Sequence, residues 1–218
     1  MLGRKAAGQR QSRIIPGVTG PGRFDGAYDG TPPWDIGRPQ PVFQSLADAG
    51  ALRGRVLDAG CGTGEHTLLA AALGLDATGV DSSPRAIARA RDKAAARRLS
   101  ARFLVADALA LDRLGERFDT VLDSGLFHVF DDADRARYVA ALRAVLPPGG
   151  RLFVLCFSER QPGTFGPRRV TRGEIEASFA DGWRVDSIEP AQFAVTERFA
   201  PMFGADAAEA WLARIARV

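Results

Sequence analysis

Three carboxylates stand at intervals that suit a ligand with a positively charged end. Asp58 precedes the glycine turn Gly60-Cys61-Gly62-Thr63-Gly64, Asp81 closes the next apolar run, and Asp107 closes the one after it. A strand, a glycine turn, a helix and a second strand ending in an acid form the layout of a nucleotide-type cofactor site at the carboxyl edge of a parallel sheet. Glycines without Cβ atoms let the backbone turn sharply and let a ligand approach it, and the following helix offers unpaired N–H groups. Asp81 is then placed to accept hydrogen bonds from ribose hydroxyls. A fourth acid, Asp123, begins the run Asp123-Ser124-Gly125-Leu126-Phe127-His128-Val129-Phe130, which leaves a later strand where acceptor chemistry belongs.

The spacing decides which cofactor fits. A dinucleotide fingerprint needs a third glycine where this chain has Glu65, so that a carboxylate would face the phosphates. With Asp58 on its other side the loop is acidic, which suits S-adenosylmethionine: a sulfonium, an ammonium and no phosphate. Asp58-Ala59-Gly60-Cys61-Gly62-Thr63-Gly64 resembles the first motif of the class I S-adenosylmethionine-dependent methyltransferases. The resemblance implies cofactor contacts from Asp58, Gly60, Cys61, Gly62, His66 and Thr67, from Asp81 at the ribose, and from Ser82, Asp107 and Ala108 beside the adenine. Asp123 and Trp34 complete that expected set. For His66 a place at the start of the helix is the alternative.

Methyltransferases that act on exocyclic amines of nucleic-acid bases carry an Asn/Asp-Pro-Pro-Tyr/Phe motif after the fourth strand, and this chain has Asp123-Ser124-Gly125-Leu126. A nucleic-acid partner is therefore not expected. Pro33-Trp34-Asp35-Ile36-Gly37-Arg38-Pro39 resembles the N-terminal lid of the thiopurine methyltransferase-like enzymes and actinobacterial heterocyclic toxin methyltransferases, which implies a small aromatic or heterocyclic acceptor. Phe24, Tyr28, Trp34, Phe127, His128, Phe157 and Phe165 are expected to shape its pocket. The candidate catalytic residues are His128 and Asp123. The near-neutral intrinsic pKa of His128 suits a base for a phenol or heterocyclic hydroxyl, while its apolar neighbours suit a packed histidine equally. Arg168 or Arg169 would meet an anionic acceptor or form a solvated basic loop. Asp131 and Asp132 read as a helix start, where negative charge suits the dipole, and no metal is expected.

These residues need a frame. From Arg55 onward strand-like runs over Arg55–Ala59, Asp76–Asp81, Ala101–Val105, Phe118–Asp123, Arg151–Phe157 and Arg184–Glu189 alternate with helical segments near Glu65–Leu73, Pro84–Arg97, Ala133–Leu146 and Arg172–Phe179. This pattern predicts an α/β fold with a doubly wound, mostly parallel sheet, seven-stranded and Rossmann-like by the resemblance. The run Ala210–Val218 suits a seventh, antiparallel strand, although its spacing also fits a helix. Residues 1–22 are expected to be a disordered tail, 23–45 a lid and 46–218 the methyltransferase domain.

At 218 residues and 46% hydrophobic the chain can bury a full core. Its 29 basic and 26 acidic residues nearly cancel, so the net charge of +3 reads as a solvated surface. Arginine outnumbers lysine, which occurs only at positions 5 and 93, and with abundant Ala and Gly this points to a GC-rich bacterial genome. No apolar stretch approaches the roughly 20 residues of a membrane helix. The spacing of Cys61 and Cys156 suits neither a disulfide framework nor a metal site, so a cytoplasmic chain, monomer or homodimer, is expected. Methylation of oxygen on a phenol- or hydroxyquinoline-like ring is the first reading and of a thiol or thiopurine sulfur the second. A nicotinamide-dependent oxidoreductase and a catalytically silent S-adenosylmethionine-binding protein are the rivals.

Overall fold

The computed structural model describes residues 24–204 and 207–218; the tail expected over 1–22 lies outside them. Strands β1 (Arg55–Ala59), β2 (Asp76–Asp81), β3 (Arg102–Val105), β4 (Thr120–Ser124), β5 (Arg151–Phe157), β6 (Trp183–Ala194) and β7 (Ala207–Arg217) form one sheet in the order β3-β2-β1-β4-β5-β7-β6. The first five are mutually parallel, and β7 runs antiparallel between β5 and β6. Helices α1 (Pro41–Asp48), α2 (Glu65–Ala72), α3 (Pro84–Arg97), α4 (Asp132–Val145), α5 (Arg172–Ser178) and α6 (Ala200–Phe203) complete it. This is the doubly wound, mostly parallel α/β fold that the alternation predicts, with the seven strands that the resemblance implies.

Both faces of the sheet are covered. Val56, Leu122, Phe153 and Leu155 pack against Phe43, Leu46 and Ala70 on one face, and Leu57, Val121, Leu152 and Val154 against Tyr138, Leu142 and Phe179 on the other. Double burial explains why these strands read as unbroken apolar runs. It also explains the ambiguous C-terminus: Trp211, Ala213 and Ile215 join one cluster while Ala210 and Leu212 join the other, so β7 lacks the alternation of a half-exposed strand. Helix boundaries follow local chemistry. Ser83 caps α3 by accepting from Ala86 N at 3.1 Å with Pro84 behind it, and Thr171 and Glu174 form a capping box on α5. Such caps are worth about 1 kcal/mol each.

Two features differ from expectation. Strand β6 begins at Trp183 and runs on to Ala194; it is an edge strand with an irregular register between Val185 and Ser187, and its mixed polar pattern hid its length. Helix α1 runs through the boundary expected between 45 and 46.

The parallel register brings the acids together. Ala59 is paired with Val80 on one side and Asp123 on the other, so Asp58, Asp81 and Asp123 meet at the carboxyl ends of three adjacent strands. The strand order reverses between β1 and β4, the usual place for a ligand crevice in such sheets.

Candidate active site

The glycine turn is held by the two acids that flank it. Asp58 is buried; its Oδ2 accepts from Thr67 N at 3.0 Å and Thr67 Oγ1 at 2.8 Å, while Oδ1 is buried without a protein partner among the described residues. Burial pushes its pKa up to about 7, against the lowering effect of the Thr67 bonds and with the charges of Asp81 and Asp123 adding to it. Thr67 is fully buried, and its N–H and hydroxyl both serve Asp58. Asp81 accepts from Gly62 N and Ser83 N, both at 2.8 Å, and burial raises its pKa. Gly62 has φ +52°, and a Cβ there would stand 2.8 Å from the Tyr28 hydroxyl. Cys61 is buried at the edge of the cleft, its thiol pushed up by burial. Glu65 turns its oxygens to Lys93 and Arg97 of α3 at 2.8–2.9 Å, so its charge is neutralised where it was expected to face the loop.

The segment before α1 lies over this turn. Trp34, Asp35, Ile36, Arg38 and Gln40 face Gly60, Gly62, Thr63, His66, Ser124 and Phe193 across a narrow cleft. Its attachments reach both halves of the sheet. Ser83 Oγ donates to Asp25 at 2.6 Å, Thr63 Oγ1 donates to Asp35 at 2.7 Å, and the Gln40 side chain exchanges two bonds with the Ala194 backbone at 2.8 and 2.9 Å. Trp34 Nε1 donates to the Tyr28 hydroxyl at 3.1 Å, and the Phe24 ring meets Trp34 edge-on at 5.8 Å. His66 Nε2 accepts from Gln40 N at 3.1 Å, so its proton sits on Nδ1; burial pulls its pKa down to about 4. It joins α2 to the covering segment.

On the acceptor side several expectations change. Asp123 is fully buried, accepting from Leu126 N, Phe127 N and Tyr138 Oη, and burial pushes its pKa up to about 6. It shapes the loop after β4, with its oxygens turned to that loop and to Tyr138. Phe127 stacks on Phe179 at 5.7 Å under Arg135 and belongs to the core instead of the pocket. His128 lies among Phe157, at 4.9 Å edge-on, and Phe193; its Nδ1 accepts from Phe157 N at 2.9 Å, and burial with Arg169 and Arg135 pulls its pKa down to about 3. Phe157 also meets Phe203, which meets Phe165 at 5.2 Å, so the rings form one continuous aromatic cluster whose Phe193 reaches the cleft. Arg168 pairs with Asp132 and Glu174, and Arg169 donates to five loop carbonyls, so both tie down the loop after β5. Asp131 caps α4.

Asp107 is exposed and caps the 3-10 turn Ala108–Leu114 through Leu109 N at 2.9 Å, while Ala108 begins that turn and Ser82 is exposed at the end of β2. Arg38, Gln40, Ile36 and Phe193 line the cleft and were missed. The first three lie inside the turn-rich run that signals a lid; Phe193 follows the underestimated end of β6 and gave no local signal.

This donor set fits S-adenosylmethionine. Acids at the turn, one with an unpartnered buried oxygen, suit an ammonium and sugar hydroxyls, and Arg38, exposed and without a bond among the described residues, suits a carboxylate. Residues 56–150 match a methyltransferase domain family. The chain is 38% identical over 164 residues, 74% of itself and 72% of the relative, to the 2-heptyl-1-hydroxyquinolin-4(1H)-one methyltransferase of Mycobacteroides abscessus. It is 34% identical over 154 residues, 67% of itself and 66% of the relative, to the "Probable thiol methyltransferase 2" of Arabidopsis thaliana. Among solved structures, one reported under "Conversion of a Disulfide Bond into a Thioacetal Group during Echinomycin Biosynthesis" superposes with a TM-score of 0.80 at 40% identity, over 89% of this chain and 91% of the other. With this fold, this glycine turn and these relatives, the chain belongs to the class I S-adenosylmethionine-dependent methyltransferases and acts on small molecules.

Proposed function

We propose that the chain methylates a hydroxyl oxygen of a planar aromatic or heterocyclic molecule of phenol or hydroxyquinoline type. The observation that carries this reading is the aromatic wall of His128, Phe157 and Phe193 beside Ser124, one strand away from the glycine turn. The hydroxyquinolinone named for the bacterial relative is an acceptor of this shape. S-adenosylmethionine supplies an electrophilic methyl on a sulfonium. The protein's part is orientation and exclusion of water, which accounts for much of the rate in an in-line displacement.

Asp81 holds the ribose: each oxygen already takes one backbone N–H and keeps a lone pair for a hydroxyl. Asp58 faces the ammonium through its spare Oδ1, Arg38 the carboxylate, and Asp107 the adenine through the oxygen that does not cap the turn. Trp34 closes the site from the covering segment that leads into α1. The thiol relative favours a second reading, a thiol acceptor in the same place. Among the described residues no helix is long and apolar enough to cross a membrane, and two buried free cysteines suit a cytoplasmic chain, monomer or homodimer. Release of S-adenosylhomocysteine over a panel of phenols, hydroxyquinolines and aryl thiols tests the assignment. Highest kcat/KM on hydroxyquinolines supports it; turnover confined to thiols selects the second reading.

A further inference from the structure

We propose that His128 donates a hydrogen bond through Nε2–H to an acceptor heteroatom that arrives already ionised, so that the chain selects acidic hydroxyls such as N-hydroxy-heterocycles over weakly acidic phenols. This rests on the acceptor reading above and adds its ionisation state.

The geometry of one ring carries it. Nδ1 accepts from the Phe157 backbone N–H at 2.9 Å, so a neutral His128 must hold its proton on Nε2. The lone pair that a general base would use is committed to a buried amide, and protonating it would strand that amide. Nε2 has no partner among the described residues. It lies beside Gly125: a Cβ there would stand 3.2 Å from Nε2 and 3.0 Å from Phe193, whose ring lines the cleft with Ser124. Gly125 keeps that corner open.

The charges facing His128 point the same way. Arg135 of α4, buried with Nε and Nη2 unpartnered, and Arg169 of the loop after β5 both oppose an imidazolium. A field that disfavours a cation at His128 favours an anion next to it. The other nearby groups able to take a proton have other partners: Asp123 has Leu126, Phe127 and Tyr138, Asp58 has Thr67 at Oδ2 and in the reading above the cofactor's ammonium at Oδ1, and His66 has Gln40 N. The acceptor therefore loses its proton to solvent before it binds. Its oxyanion pair then forms the C–O bond as the methyl C–S⁺ bond breaks, the bonding pair staying on sulfur. A neutral ether and a neutral thioether result, and no proton passes to the protein.

Two readouts test this. In ¹⁵N–¹H spectra of the full chain, His128 should show the Nε2–H tautomer from pH 6 to 9; an Nδ1–H tautomer or an imidazolium overturns the proposal. In turnover, a 1-hydroxyquinolin-4-one and a 4-alkylphenol should give kcat/KM profiles whose rising limbs follow each acceptor's own pKa. His128→Gln, which keeps an N–H near the Nε2 position, should stay within about fivefold of the native rate, while His128→Ala falls about 100-fold, the scale of a lost hydrogen-bond donor to a reacting oxygen. A Gln variant as inactive as Ala with its melting temperature intact, or one limb common to both acceptors, overturns it. If His128→Gln does not fold, the tautomer and the native limbs decide. A native chain that binds S-adenosylhomocysteine yet methylates neither acceptor overturns the acceptor class itself, a result distinct from those above because they require an active native enzyme.

Discussion

Asp81 carries two tasks with one carboxylate, fixing Gly62 and Ser83 and, in the proposed complex, the ribose. Asp81→Ala should weaken S-adenosylmethionine binding by at least about tenfold, equivalent to roughly 1.4 kcal/mol, by isothermal titration. Unchanged affinity would remove it from the site. This residue was legible because its position depends only on the spacing between a glycine turn and the next strand end. The true situations of Thr67, Asp123, Phe127 and His128 were not. Each lies next to a recognisable motif, yet what it touches is decided by a distant partner: Asp58 for Thr67, Tyr138 for Asp123, Phe179 for Phe127 and the Phe157 amide for His128. Sequence places such a residue near the site and leaves its orientation open. A lone pair that looks available for catalysis in the sequence is occupied in the fold.

At the level of elements, the covering segment acts as a strap between the cofactor half and the acceptor half. Gln40 is its joint, with its side chain on Ala194 at the end of β6 and its backbone N–H on His66 of α2. Gln40→Ala leaves the half-buried N–H and C=O of Ala194 without their side-chain partners; a fully buried stranded group costs roughly 1–3 kcal/mol, and these two cost less apiece. The expected result in urea unfolding is a loss of about 2 kcal/mol, together with a raised KM for the acceptor because Phe193 adjoins the broken joint. A loss below about 0.5 kcal/mol with KM unchanged would show that the strap is held elsewhere. The strands and capped helices could be read because their signals are local: apolar runs, Ser83 before Pro84, Thr171 before Glu174. Helix α1 and the far half of β6 escaped because an eight-residue helix after a proline-rich run and an edge strand with mixed polarity carry weak periodicity.

Across the whole molecule, buried titratable groups oppose one another. His66 and His128 fall to about 4 and 3 in the fold from about 6.5 unfolded, so the unfolded chain binds more protons and stability declines as pH falls through 6.5. Asp58 and Asp123 rise to about 7 and 6 from about 3.9, so the folded chain binds more protons and stability increases over the same descent. Glu65, Glu116 and Glu174, held low by hydrogen bonds and charges that outweigh their burial, contribute above the ordinary glutamate pKa and lose that contribution as pH falls below it. The urea midpoint should therefore stay nearly level from pH 7 to 5 and drop below pH 4; a steady decline starting at 6.5 would mean that the two aspartates do not offset the histidines. The same distribution polarises the site, with acids at the glycine turn and Arg135 and Arg169 near His128. The measurement that tests the central claim most directly is reaction of the native chain with S-[methyl-¹³C]adenosylmethionine and a 2-alkyl-1-hydroxyquinolin-4-one, with the product read by NMR. The account predicts a single product with the label on a ring-borne oxygen. Label on a ring nitrogen or carbon, or no labelled product from a chain that binds S-adenosylhomocysteine, would contradict it.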